Sequence, residues 1–161
     1  MSADSQAIQL AILAGLAAKS KKATEVIALD VSARLALTDI FILASGNNER
    51  QVRAIVEAVD ETMSRHGVRL ARREGFQECR WVLLDYGEIV VHVQHESDRQ
   101  FYALERLWAD APVVPIPDPD EPATVTPHAN LGQSPHESAT ATATAKTTQP
   151  ISPLDFLANK Y

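Results

Sequence analysis

The 161-residue chain has a single cysteine, Cys79, and a net charge of −6, divided as −3 over residues 1–110 and −3 over residues 111–161. One cysteine excludes an internal disulfide and any site built from several thiolates. The acidic balance argues against direct binding of nucleic acid, where a positive field supplies most of the affinity.

All nine prolines lie at or beyond Pro112. The expectation is one folded domain over residues 1–110, followed by a Pro/Thr/Ala-rich disordered tail over residues 111–161. The apolar run at residues 7–18 follows Asp4 rather than a basic stretch, and it falls short of the ~20 residues that span a bilayer. A cytoplasmic protein is expected.

Ser5–Ser20 places Ile8, Ile12 and Leu16 at helical spacing with Leu10, Leu13 and Ala17 beside them, and Asp4 or Ser5 is a suitable N-cap. Residues 25–31 and 39–44 are short runs rich in β-branched and aromatic side chains, so they read as strands; the second is apolar on both faces, as an interior strand is. Residues 50–67 carry Val52, Ile55, Val56, Val59 and Met63 at helical spacing, and Gly67 is a natural stop. Three strands follow, at residues 68–72, 81–86 and 88–94, the last two joined at Gly87 as a hairpin. A third helix over residues 97–108, capped by Ser97, turns Phe101, Leu104, Leu107 and Trp108 to one side. The order α-β-β-α-β-β-β-α predicts an α/β fold with a mixed five-stranded sheet flanked by helices. Within the tail, residues 153–157 could form a short docking motif, but unspecific wrapping or no role at all is the favoured reading.

No constellation in the sequence carries catalytic chemistry: there is no P-loop, no dinucleotide-binding glycine motif and no nucleophile elbow. Ser45-Gly46 ahead of a helix could receive a phosphate, the alternative reading as a nucleotide-binding enzyme. Metal-dependent nucleotide chemistry would also need carboxylates on adjoining strands, where only Asp30, Asp39 and Asp85 are available. His92 and His95 are three apart at a strand end, a spacing that does not aim both at one ion. Catalytic residues, metal sites and cofactors are therefore expected to be none.

Side-chain alternation puts Trp81, Leu83 and Asp85 on one face of their strand and Val82, Leu84 and Tyr86 on the other, while His92 shares a face with Val90 and Gln94. A face mixing Trp, Leu, Asp and His is less like a dry core than like an interface patch with aromatic anchors.

The runs Leu29-Asp30-Val31-Ser32, Thr38-Asp39-Ile40-Phe41, Ala44-Ser45-Gly46, Arg50-Gln51-Val52 and Glu74-Gly75 lead to WVLLDYGEIVVH at residues 81–92. Arg99, Phe101-Tyr102 and residues 104–108 complete the set. Together these resemble the ribosomal silencing factor (RsfS, Iojap-like) family across about residues 5–110. The resemblance implies a nucleotidyltransferase-like fold without its catalytic carboxylates, and a homodimer when free. It further implies binding to the large ribosomal subunit through ribosomal protein uL-fourteen, steric blocking of subunit joining, and repression of translation during nutrient limitation. Trp81, Leu83, Asp85, Tyr86, His92, Arg99, Tyr102 and Glu105 are the matched residues expected at the protein interface, with Trp81, Leu83 and Asp85 the foremost contact groups. An alternative is a homodimeric module for another target. The tail lies outside the motif, and so does Asn47-Asn48, where a small hydroxyl residue is usual.

Overall fold

In a computed structural model, residues 2–119 are described. Helix α1 (Ser5–Ser20) buries not its branched side chains but a stripe of small ones, Ala7, Ala11, Ala14, Gly15 and Ala18. Small residues let the helix lie close on the sheet, and Ile8, Leu10 and Leu13 flank the contact half-buried. Helical period alone does not distinguish these two stripes, because each repeats at three and four residues.

Strands β1 (Thr24–Asp30) and β2 (Ile40–Gly46) pair antiparallel, with a bulge after Thr24. Helix α2 (Glu49–Arg65) starts where the Asn48 side chain accepts the Gln51 amide at 2.8 Å. It ends with Gly67 in the left-handed region, φ 72°. Its buried stripe is the one anticipated: Val52, Ile55, Val56, Val59 and Met63.

Strands β3 (Arg72–Glu74), β4 (Trp81–Asp85) and β5 (Ile89–His95) follow. The β4–β5 hairpin turns at Gly87, φ 87°, whose amide is held by the Asp85 carboxylate at 2.9 Å. The sheet is mixed, in the order β3-β4-β5-β2-β1-β6, with β2 and β5 parallel and the other pairs antiparallel. Strand β2 is buried throughout, as an interior strand must be. The α/β class and the mixed sheet stand as expected.

Three boundaries differ from expectation. The strand placed at residues 68–72 forms instead at Arg72–Glu74, because the Val68 amide turns back to the Met63 carbonyl and delays pairing. The helix expected over residues 97–108 divides into α3 (Glu96–Tyr102) and α4 (Leu104–Leu107) at Ala103, φ 44°. Its cap is His95, whose Nδ1 accepts the Ser97 amide, rather than Ser97 itself. The chain also does not leave the domain at residue 110. Strand β6 (Val113–Val114) pairs with β1 and makes a sixth strand, and Ile116 packs onto Gly15 of α1. The remainder of the expected tail, residues 120–161, lies outside the described residues.

Candidate macromolecule-binding face

Two apolar layers sandwich the sheet. Helices α1 and α2 cover one side over Ile40, Ile42, Val82, Leu84, Val91 and Val93. The other side collects Leu29, Phe41, Leu43, Trp81, Leu83 and Val90 beneath Leu104, Tyr102 and Trp108. This second cover consists of helices of 7 and 4 residues, too short to hold themselves by backbone propensity. Side-chain anchors hold it instead.

Arg99 is the chief anchor. Its guanidinium is 2 % exposed and donates to Glu105 at 3.0 Å, to the Ser45 hydroxyl at 3.3 Å and to the Glu25 carbonyl at 2.8 Å. Glu25 has φ 50° within the β1 bulge, and a bulge withdraws backbone groups from the ladder. One side chain thus ties α3 to α4, β2 and β1.

Beside it Trp81, on β4, donates its indole N–H to Nδ1 of His92 on β5 at 3.1 Å. His92 also meets the Phe41 ring edge-on, centroids 5.0 Å apart, and Trp81 tilts against Tyr102 at 4.7 Å. Burial, reinforced by the Arg99 charge, pushes the imidazole down to about 3, so it is neutral at ordinary pH. With Nδ1 accepting, its proton sits on Nε2; among the described residues that atom has no hydrogen-bond partner, and neither have the two amide atoms of Gln94 or Oε2 of Glu105. The polar groups that made this face look unlike a core are enclosed within it.

The eight anticipated interface residues are therefore distributed as follows. Trp81, Leu83, His92 and Arg99 come together on the face under α3 and α4, all buried, with Tyr102 and Glu105 half-buried at its cover, whereas Asp85, also buried, sits at the far end of β4 and accepts the Gly87 amide. Tyr86 is not with them. It points to the opposite layer and donates to Asp60 of α2 at 3.0 Å, and burial first, then the Asp60 charge, raises its phenol. Trp81, Leu83 and Asp85 offer almost no exposed surface in this chain. Exposed apolar groups on this side include Phe101 at 41 %, against Tyr102, Leu107 at 54 %, next to half-buried Trp108, and Val113, the partner of Leu29 across β1 and β6. Sequence period had assigned Phe101 and Leu107 to the inner side of one continuous helix, and the reversal at Ala103 is what turns them outward.

Ser45-Gly46 is not laid out as an open phosphate cradle. Ser45 is buried, its hydroxyl donating to the Thr24 carbonyl at 3.0 Å, and a Cβ on Gly46 would crowd the Val52 amide. At the start of α2, Asn48 takes the Gln51 amide and the Gln51 side chain takes the Asn47 amide, both at 2.8 Å, so these two backbone donors are already engaged. Asp30, Asp39 and Asp85 each accept backbone amides, of Ala3, Asp4 and Gly87 respectively. Burial works to raise the Asp30 carboxyl, but hydrogen bonds from Ser32 and Ala3 outweigh it and hold it low. Among the described residues no three His, Cys, Asp or Glu side chains converge as a metal site, and no helix is long and apolar enough to cross a membrane.

The same fold and sequence pattern recur in known proteins. Residues 4–149 match the family model described as ribosomal silencing factor during starvation. The chain is 41% identical over 108 residues to ribosomal silencing factor RsfS of Halalkalibacterium halodurans, covering 67% of this chain and 92% of that protein. It is 26% identical over 93 residues to the mouse protein named mitochondrial assembly of ribosomal large subunit protein 1, covering 56% of this chain and 41% of that one. A crystal structure of a Bacillus halodurans protein superposes with a TM-score of 0.59 at 37% identity, covering 70% of this chain and all of that one. The chain belongs to the ribosomal silencing factor family.

Proposed function

We propose that the protein binds the large ribosomal subunit through ribosomal protein uL-fourteen and prevents the small subunit from joining, repressing translation when nutrients are short. The action is steric. It takes place in the cytoplasm, needs no cofactor and no turnover, and goes with a homodimeric free state. The observation that carries this reading is the family membership together with the outward ridge of α3 and α4, where Phe101 and Leu107 stand exposed above a layer rigidly tied by Arg99. An apolar anchor on a firmly held element is what a protein interface uses, and about 800 Å² per partner lies within the reach of a domain this size.

In this reading Trp81, Leu83 and His92 set the shape of the ridge from beneath, and Tyr102 and Glu105 border it. The test is sedimentation of the full chain with separated ribosomal subunits on sucrose gradients. Migration with large subunits and not small ones is expected, with loss of that migration in Leu107→Glu. A chain that stays at the top of the gradient with both subunits overturns the reading.

A further inference from the structure

Residues 65–73 hold four arginines, Arg65, Arg69, Arg72 and Arg73, and no aspartate or glutamate, in a chain whose net charge is −6. All four are exposed, along the turn from the end of α2 into β3, the strand at one edge of the sheet. Two of them are answered locally: Arg65 pairs with Glu61 at 3.2 Å and Arg72 with Glu74 at 2.6 Å. Among the described residues Arg69 and Arg73 are in no ion pair, and neither is exposed Arg53, which arrives from α2.

Phe76 joins the two elements. The Arg73 guanidinium lies 4.1 Å from the centre of its ring and the Arg53 guanidinium 4.5 Å. Stacking on an aromatic ring fixes the plane of a guanidinium and leaves its N–H fork to aim outward. Two cations held on one ring repel each other, and an anion shared between them offsets that repulsion. The acids nearby do not take this part. Among the described residues Glu57 and Glu78 form no ion pair, and Asp60 accepts the Tyr86 hydroxyl at 3.0 Å. Strand β3 is only three residues long and lined with charge, features that discourage pairing with a further strand. An extended acidic peptide is therefore the poorer fit, whereas planar forks from two elements match phosphate oxygens.

We propose that Arg53, Arg69 and Arg73 form a contact for the phosphate backbone of RNA. Such contacts position a protein without reading bases. The acidity of the whole chain argues against RNA as its sole anchor, so the patch adds to a complex that other contacts place. That the RNA is that of the large ribosomal subunit rests on the proposed function, whereas the affinity of the patch for RNA does not.

Anisotropy of a short fluorescent RNA duplex, titrated with the full chain over a series of salt concentrations, tests it. The logarithm of the binding constant should fall linearly with that of salt, and replacing all three arginines by glutamine should flatten the slope by roughly one per phosphate contact, about three in all. Arg69→Gln alone removes no ion pair among the described residues; it should flatten the slope by about one and leave the urea midpoint unchanged, which separates the contact from a folding defect. Equal slopes in all three chains, or no binding by wild type at low salt, overturn the proposal. The same slope changes are expected on large subunits by sedimentation. A change seen on subunits but not on the duplex overturns the RNA contact in favour of an acidic protein. A change on the duplex, with no sedimentation of wild type alongside subunits, keeps the RNA contact and removes the proposed function.

Discussion

The indole N–H of Trp81 donates to Nδ1 of His92 at 3.1 Å across the β4–β5 hairpin, joining two side chains that are each almost wholly enclosed. That bond fixes the imidazole tautomer and orientation, and it holds only while His92 is neutral.

Stability should therefore fall in mild acid. The unfolded imidazole takes its proton near 6.5, whereas the folded one resists until about 3 because it is buried and faces Arg99. Between those values the unfolded state binds more protons, so each unit of falling pH removes about 1.4 kcal/mol through this group, while above 6.5 the effect vanishes. Urea midpoints at pH 7.5 and 5 should differ accordingly, and His92→Gln should flatten the difference.

Arg99→Ala should cost about 3–5 kcal/mol, the range for breaking a buried ion pair by removing one partner. It leaves the Glu25 carbonyl and the Ser45 hydroxyl without a donor they now use. Arg99→Lys should recover little, since one ammonium does not reach three acceptors on three elements. Denaturation followed by circular dichroism decides both; a midpoint unchanged in Arg99→Ala contradicts the anchoring role.

Trp81→Ala and Leu107→Glu should separate packing from contact. The first deletes an enclosed side chain and should lower stability by about 3–5 kcal/mol. Leu107, at 54 % exposure, should tolerate glutamate within about 0.5 kcal/mol while large-subunit binding is lost. A Leu107→Glu protein that unfolds early shows that the ridge is core after all.

Gln94→Met should raise stability by about 1–3 kcal/mol. Among the described residues neither amide atom of the enclosed Gln94 has a hydrogen-bond partner, and removing an unsatisfied buried polar group recovers its desolvation cost. A lowered thermal midpoint contradicts this.

At Gly75, φ 77°, a Cβ would collide with the Trp81 carbonyl, so backbone would have to move. Gly75→Ala should destabilise the β3–β4 pair, seen as faster amide exchange at residues 72–74.

Sequence by itself determined the class, the mixed sheet and the order of the elements as far as β5, because alternation and helical period report which side chains must leave water. It also marked residues 81–94 as unusual, since Trp, Asp, His and Gln at alternate positions are rare on a dry face. Only the tertiary structure decided that this face is enclosed. Burial depends on what crosses above it, and the crossing is made by a backbone reversal at an alanine, a conformation that composition does not announce. The same reversal turns Phe101 and Leu107 outward and carries Leu104 in. The place of Val113–Val114 was equally hidden: a two-residue strand has no period to detect, and it exists because β1 presents an unpaired edge to it.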